Sequence, residues 1–278
     1  MPLLSLPSSI FKYNPSVPFW SSEAVRSLAY YTCDARGFCI QEHGSKDLAY
    51  CCLGYLPEFL KVFNPAAPVV MLTCGGDYPF DTRYLQYLDD PRFIHWFAAN
   101  RILRHPKLSS LPLGVPDSQR PGNPDARYEI LRSVSNSTGV KQQMVTSHYN
   151  VATGGDRLEC IEHTGIQPTI ISDLAAYYRS LQSSYFTLSP VGNGWDCWRM
   201  WEALYVGTVP VITTHDNPWS DGFESLPILR LRVWADYDIA QLTPEKYTSL
   251  WAGWTRYVAD NDGYLRRLST CLLRPYTR

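Results

Sequence analysis

The residues best suited to chemistry lie in SPVGNGWDCWRMWEAL (Ser189–Leu204), where a glycine-rich turn leads into a helical run carrying Asp196, Arg199 and Glu202. Gly192, Asn193 and Gly194 free the backbone to present amide N–H groups at a helix N-terminus, where orphan donors and the helix dipole favour a phosphate or diphosphate. At roughly 100° per residue the three charges share an arc of about 120°. Trp198, Trp201, Leu204 and Tyr205 take the other side as the core stripe. From the residues alone the charged arc reads equally as a ligand-facing set or as a solvated i,i+3 ladder. The turn lacks the GK[ST] of a Walker loop and is not GxGxxG, which argues against a dehydrogenase or nucleotide-sugar epimerase. Two other loops hold candidates. GGDYPFD places Asp77, and further on Asp81, after the apolar run PVVMLTC, and a polar GGDR carries Arg157. Asp236 and Asp238 (DYD), after the apolar run ILRLRVW, have the DxD spacing of a metal-binding pair, an alternative that remains open on the residues.

The elements around these residues suggest how they are held. Pro68–Cys74 is a continuous apolar run closed by glycines and predicts a buried parallel strand. Ligands bind outside the carboxyl ends of such strands, which is where Asp77 falls. Apolar segments at Phe93–Ala99 and Leu108–Val115 follow, and then a polar, proline-rich stretch from Asp117 to Thr138 reads as a domain boundary. The second half resumes with Gln143–Tyr149 and the polar GGDR loop, and predicts a helix over Ser172–Ser183 capped by Ser172. A strand at Tyr185–Leu188, a helix from about Asp196 to Val206 stopped by Gly207, and a strand at Thr208–Thr213 then form a βαβ unit. Ile228–Val233 predicts one more strand, and Pro244–Leu268 a terminal helix. The expected architecture is α/β, with domains at 1–140 and 141–255, and with 256–278 packing back on the first.

Composition narrows the function classes. The 278 residues carry a net charge of −1 and no dense Lys/Arg cluster, which argues against nucleic acid. With 45% apolar residues and 9 Trp, 19 Tyr and 10 Phe the chain can bury a large core. The 8 cysteines form neither a CxxC pair nor a zinc-spaced group, so buried thiols are expected rather than disulfides or metal ligands. The N-terminus MPLLSLPSSIFKYNP lacks a basic n-region, and no apolar run is long enough to span a membrane. A soluble, cytoplasmic protein is expected.

SYFTLSPVGNGWDCWRMWEALYVGTVPVI resembles the donor-binding segment of exostosin-like glycosyltransferases of the GT-B type. In that family a strand leads to S-P-x-G-x-G, D-x-x-R-x-x-E-A-L and G-x-x-P-V-I. Ser189, Pro190, Gly192, Gly194, Asp196, Arg199, Glu202, Ala203, Leu204, Gly207, Pro210 and Val211 match. VVMLTCGGDYPF and DDPRFIHWFAANRILRHPKLSSLPLGV resemble the acceptor-side domain of the same group, and SLPILRLRVWADYD resembles its tail. The similarity spans about residues 68–238 and is greatest to short members from large algal viruses, which would place the protein in the host cytoplasm. The resemblance implies two facing Rossmann-like domains with the active site in the cleft between them. It also implies inverting transfer of a sugar, xylose as first guess, from a UDP-sugar to a glycan hydroxyl, without a metal or a resident cofactor. The general base it implies is Asp77, ahead of His95, His105 and Asp81. Arg157, and less directly Arg104, are nominated for diphosphate charge, and Ser147–Asn150 for lining the donor cleft. One alternative is a metal-dependent GT-A-type transferase using Asp236 and Asp238, and a non-catalytic glycan-binding module rich in Trp and Tyr is the alternative from another class.

Overall fold

The computed structural model describes residues 19–117, 124–224 and 226–252. By their internal packing these form two units. The first runs to Leu113 and takes back Asn217–Gly222; the second comprises Gly114–Asp216 and continues from Phe223.

The first unit opens with α1 (Ser22–Leu28), capped by the Ser21 side chain. Its sheet begins with β1 (Ala29–Asp34), β2 (Gly37–Ile40) and β3 (Ser45–Cys51). The β1–β2 hairpin closes on Asp34, whose carboxylate accepts from Arg36 N at 2.8 Å and pairs with Arg26 and Arg36 side chains, while Gly37 supplies φ 89°. The chain continues through α2 (Leu56–Val62), β4 (Val69–Thr73), α3 (Leu85–Leu88), β5 (Phe93–Ala98) and β6 (Leu108–Ser110). The strand order is β2-β1-β3-β4-β5-β6, parallel apart from the β1–β2 pair. Every residue of β4 is buried, as its unbroken apolar run predicts. Phe59, Phe63 and Phe93 stack in succession, and Trp96 meets Phe93 at a tilt. The Asp-x-Arg turn of the hairpin recurs at Asp81–Arg83 and Asp90–Arg92, each aspartate accepting from the arginine's backbone and side chain. In all three, hydrogen bonds from the arginine hold the aspartate below its ordinary pKa, against the opposing effect of burial.

The second unit begins with α4 (Pro124–Asn136), a 13-residue helix where the sequence reads as a polar boundary. Proline is favourable in a first helical turn, and Tyr128, Leu131 and Val134 recur on one buried face. That period is short and flanked by turn formers, which hides it in the sequence. The units divide after Leu113, ahead of the boundary expected at 140. There follow β7 (Gln143–Ser147), α5 (Arg157–Thr164), α6 (Leu174–Gln182), β8 (Ser184–Leu188), α7 (Trp198–Tyr205), β9 (Val209–Thr213), β10 (Leu229–Leu231) and α8 (Pro244–Trp251). The four strands run parallel in the order β10-β9-β8-β7. Asp173, not Ser172, caps α6, its carboxylate accepting from Ala176 N at 2.6 Å. Gly207 ends α7 with φ 77°, as expected. Gln182 ties α6 to α4 by donating to the Val134 and Ser137 carbonyls.

The expected terminal helix begins at Pro244, where Thr243 caps α8, and its continuation and the segment 256–278 lie outside the described residues. The described cysteines are all free thiols. Among the described residues no helix is long and apolar enough to cross a membrane.

Candidate functional site

Strand ends of the second unit carry most of the nominated residues. Past β8, Ser189 N extends the ladder to Val211 O, and the chain then turns through Pro190 and the glycines. Gly192 N bonds Gly194 O at 3.2 Å, closing a tight loop ahead of α7, and Asn193 at its tip is exposed. Cys197 occupies the N-cap without a side-chain cap bond, so α7 begins two residues later than expected. Asp196 therefore precedes the helix rather than lying on its charged arc. Its carboxylate accepts from Trp201 Nε1 at 2.7 Å and braces the loop against the helix.

Arg199 and Glu202 are not a solvated ladder: with 8% and 5% exposure they are enclosed like the apolar residues around them. Glu202 accepts from Tyr177 and Tyr178 hydroxyls at 2.8 and 2.9 Å and from Arg127 at 3.4 Å. A carboxylate offers about four acceptor positions, and these three donors leave one of them open.

Arg199 and Arg157 share one aromatic ring. The two guanidiniums lie over Tyr149 at 5.3 and 5.6 Å. Arg199 Nε donates to the His148 carbonyl at 2.5 Å and reaches Ser189 Oγ at 3.5 Å, while Arg157 Nη1 donates to the Asn150 carbonyl. His148 is itself fixed, Nδ1 donating to Thr169 O and Nε2 accepting from Thr146 and Ser180. Arg157 opens α5, is 7% exposed, and packs so closely on Gly192 that a Cβ there would lie 2.3 Å from Nη2. Its Nε is buried without a hydrogen-bond partner. Neither arginine pairs with a carboxylate among the described residues. Burial, followed by the nearby Arg199 charge, lowers the pKa of Arg157. Two buried like charges with unused N–H groups, beside a glycine loop, have the chemistry to receive an anion. Ser147, at the end of β7, is buried in the same neighbourhood by sequence.

In the first unit, Asp77 is exposed on the loop after β4. That loop is tightly held. Gly75 takes φ 87° with no space for a side chain, since a Cβ would lie 2.9 Å from Tyr50 Oη. Asn100 Nδ2 holds the Gly76 carbonyl at 3.1 Å, and Trp96 Nε1 donates to Thr73 Oγ1 at the strand end. The W-F-A-x-N motif thus braces the loop that presents Asp77.

The remaining candidates have local partners. Asp81 caps a 3-10 turn and pairs with Arg83 at 2.8 Å. Arg104 is exposed and lies 3.5 Å from Asp221, which also meets buried Arg101 at 3.3 Å. His95 bonds Ser109 Oγ at 2.8 Å, and His105 Nδ1 accepts from Lys107 N. Asp236 and Asp238 each accept a backbone N–H that closes a 3-10 turn. Among the described residues no group of three or more His, Cys, Asp or Glu side chains is arranged to hold a metal ion. Tyr149 lies in the Ser147–Asn150 segment nominated for the donor cleft, whereas Asp156 and His215 were not singled out, although His215 follows the strand TVPVIT, where the strand-end rule points.

A mixed, mostly parallel sheet and a second parallel sheet, with helices between strands, define an α/β protein compatible with Rossmann-like folds. Residues 162–232 match the model of the family described as RXYLT1 C-terminal domain, a stretch that includes the glycine loop, Arg199 and Glu202. This match supports a glycosyltransferase family. A comparison with curated proteins finds no match.

Proposed function

We propose that the protein is an inverting glycosyltransferase of the GT-B type that moves a sugar from a UDP-sugar to a hydroxyl of a glycan. The observation that carries the reading is the pair of buried guanidiniums, Arg157 and Arg199, without carboxylate partners at the glycine loop. In the transfer, an acceptor hydroxyl oxygen attacks C1 of the sugar and the bond from C1 to the diphosphate oxygen breaks. The hydroxyl proton passes to Asp77, and negative charge develops on the departing diphosphate. Preorganised donors in a water-poor site stabilise such charge most effectively. Arg157, Arg199 and the amides around Gly192–Gly194 supply them, with Ser147, Ser189 and Pro190 shaping the pocket and Glu202 receiving the ribose. Arg104 and Asp81 are peripheral candidates for phosphate or acceptor contact. The charge is thereby assigned to protein groups rather than to a metal, so transfer should persist in EDTA. Xylose is the first sugar to test.

Asp77→Ala tests the reading. With UDP-xylose, UDP-glucose and UDP-N-acetylglucosamine offered over an oligosaccharide panel, the variant should lose transfer while still binding UDP. Full transfer by Asp77→Ala removes it as the base. Sugar binding without turnover in the unaltered protein favours the glycan-binding module instead.

A further inference from the structure

β9 ends at Thr213, and shortly beyond it His215 and Asp216 take left-handed backbone, with φ of 48° and 59°. Such conformations are uncommon outside glycine and persist where the surroundings impose them, often at functional sites. Here His215 N donates to Arg232 O at 2.8 Å, and its Nε2 donates to Asp156 Oδ2 at 3.0 Å. The same oxygen receives Thr213 Oγ1 and Trp234 Nε1, while Asp156 Oδ1 is buried without a partner among the described residues. In the neutral imidazole, donation from Nε2 leaves a lone pair on Nδ1. No hydrogen bond to Nδ1 is formed by any described residue, and the side chain is 24% exposed. Thr213 and Trp234 already anchor Asp156 to the sheet without the imidazole.

Its location is the donor loop. The ring meets Trp195, which directly follows Gly194, edge to face at 5.6 Å. Asp156 immediately precedes Arg157, and Gly155 backs so closely on the glycine loop that a Cβ would lie 2.1 Å from Val191 O. An oriented imidazole therefore stands beside the diphosphate receptor with an accepting nitrogen. Phosphate oxygens are themselves acceptors, so the nitrogen suits a hydroxyl donor, and the ribose hydroxyls are already assigned to Glu202. We propose that His215, positioned by Asp156, reads the transferred sugar, its Nδ1 accepting a hydrogen bond from a sugar hydroxyl. The inference rests on the donor-site reading above and adds the residue that distinguishes the sugar from the nucleotide.

Calorimetry on the full chain with UDP, UDP-xylose, UDP-glucose and UDP-N-acetylglucosamine identifies the nucleotide sugar most preferred over UDP. His215→Phe should weaken that ligand about tenfold while leaving UDP within about twofold. His215→Asn keeps an acceptor near Nδ1 and tolerates left-handed backbone, so part of the preference should return. Asp156→Asn should repeat the selective loss, whereas a purely structural role would weaken UDP equally. Equal loss of UDP and nucleotide sugar, or an undiminished preference in a His215→Phe variant that melts like the unaltered protein, overturns the proposal. Failure of the unaltered protein to bind any of the four probes instead overturns the donor-site reading, and this assignment with it.

Discussion

Replacing Gly192 by alanine probes the proposed anion receptor without substituting either arginine. A Cβ at this position would lie 2.3 Å from Arg157 Nη2 and 3.0 Å from its Cζ. Carbon contacts settle near 3.5 Å or beyond, so the guanidinium must retreat by roughly 1 Å. The obstructing atoms are the end of a long side chain, so the fold should yield little, with a melting temperature lowered by only a few degrees. The displaced guanidinium would lose its aim at a diphosphate. A hydrogen bond to a charged group contributes about 1.5–3 kcal/mol, which raises the dissociation constant for UDP by about ten- to a hundredfold. Calorimetric titration of UDP, with a thermal melt of the same sample, reads both quantities. Gly155→Ala is the contrasting control: its Cβ would meet backbone, 2.1 Å from Val191 O, at φ 67°. Nothing there can retreat, so stability itself should fall by about 2 kcal/mol or more. A folded Gly192→Ala protein that binds UDP as tightly as the original would refute the placement of Arg157 at the diphosphate.

Glu202→Ala leaves Arg127 and two tyrosine hydroxyls without their acceptor. Loss of about 3 kcal/mol is expected, seen as a melting temperature lower by roughly 5–10 °C, and an unchanged melt would contradict the buried cluster. Burial, reinforced by the charges of Arg101, His105 and Lys107, pushes His95 down to about 4, whereas an unfolded histidine titrates near 6.5. The unfolded chain then binds the proton first, so this contribution is whole above pH 6.5 and lost as pH falls towards 4. Urea midpoints should decline across that window, and His95→Gln should flatten the decline; identical slopes would show that His95 is not held neutral. Asp34, Asp81 and Asp90, lowered by their arginines, stabilise the fold above about pH 4. That contribution disappears as pH drops through their depressed folded values, so acid unfolding should steepen there, and Asp34→Asn should soften it.

Much of this was legible where one face or one period dominates. The unbroken run at Val69–Thr73 announced a buried parallel strand, and the succession from Tyr185 to Thr213 announced a βαβ unit, because short connections leave few alternatives. The helix α4 was not legible, since Tyr128, Leu131 and Val134 are spaced as a stripe only once Gln182 and α6 show which side is covered. The strands before residue 60 were missed for a similar reason: β2 is largely exposed and carries little pattern. At the candidate site, glycine spacing and charge type pointed to Arg157, Arg199 and Glu202. Their burial did not follow from sequence, because helical periodicity assigns charges to an outer face by default. Tyr149, which gathers both arginines, and the Asp156–His215 pair depend on contacts between distant strand ends, which no local pattern records.

The most direct test of the nucleotide-sugar assignment is the UDP-dependent thermal shift of the full chain, compared with an Arg157→Gln/Arg199→Gln double variant. Ligand at about a hundredfold excess over its dissociation constant adds about 2.7 kcal/mol, which should raise the melting temperature by several degrees in the unaltered protein. The double variant, itself folded, should show almost no rise. A protein whose melting temperature is unmoved by UDP, GDP or any nucleotide sugar, or a double variant that responds as fully as the original, would contradict the assignment.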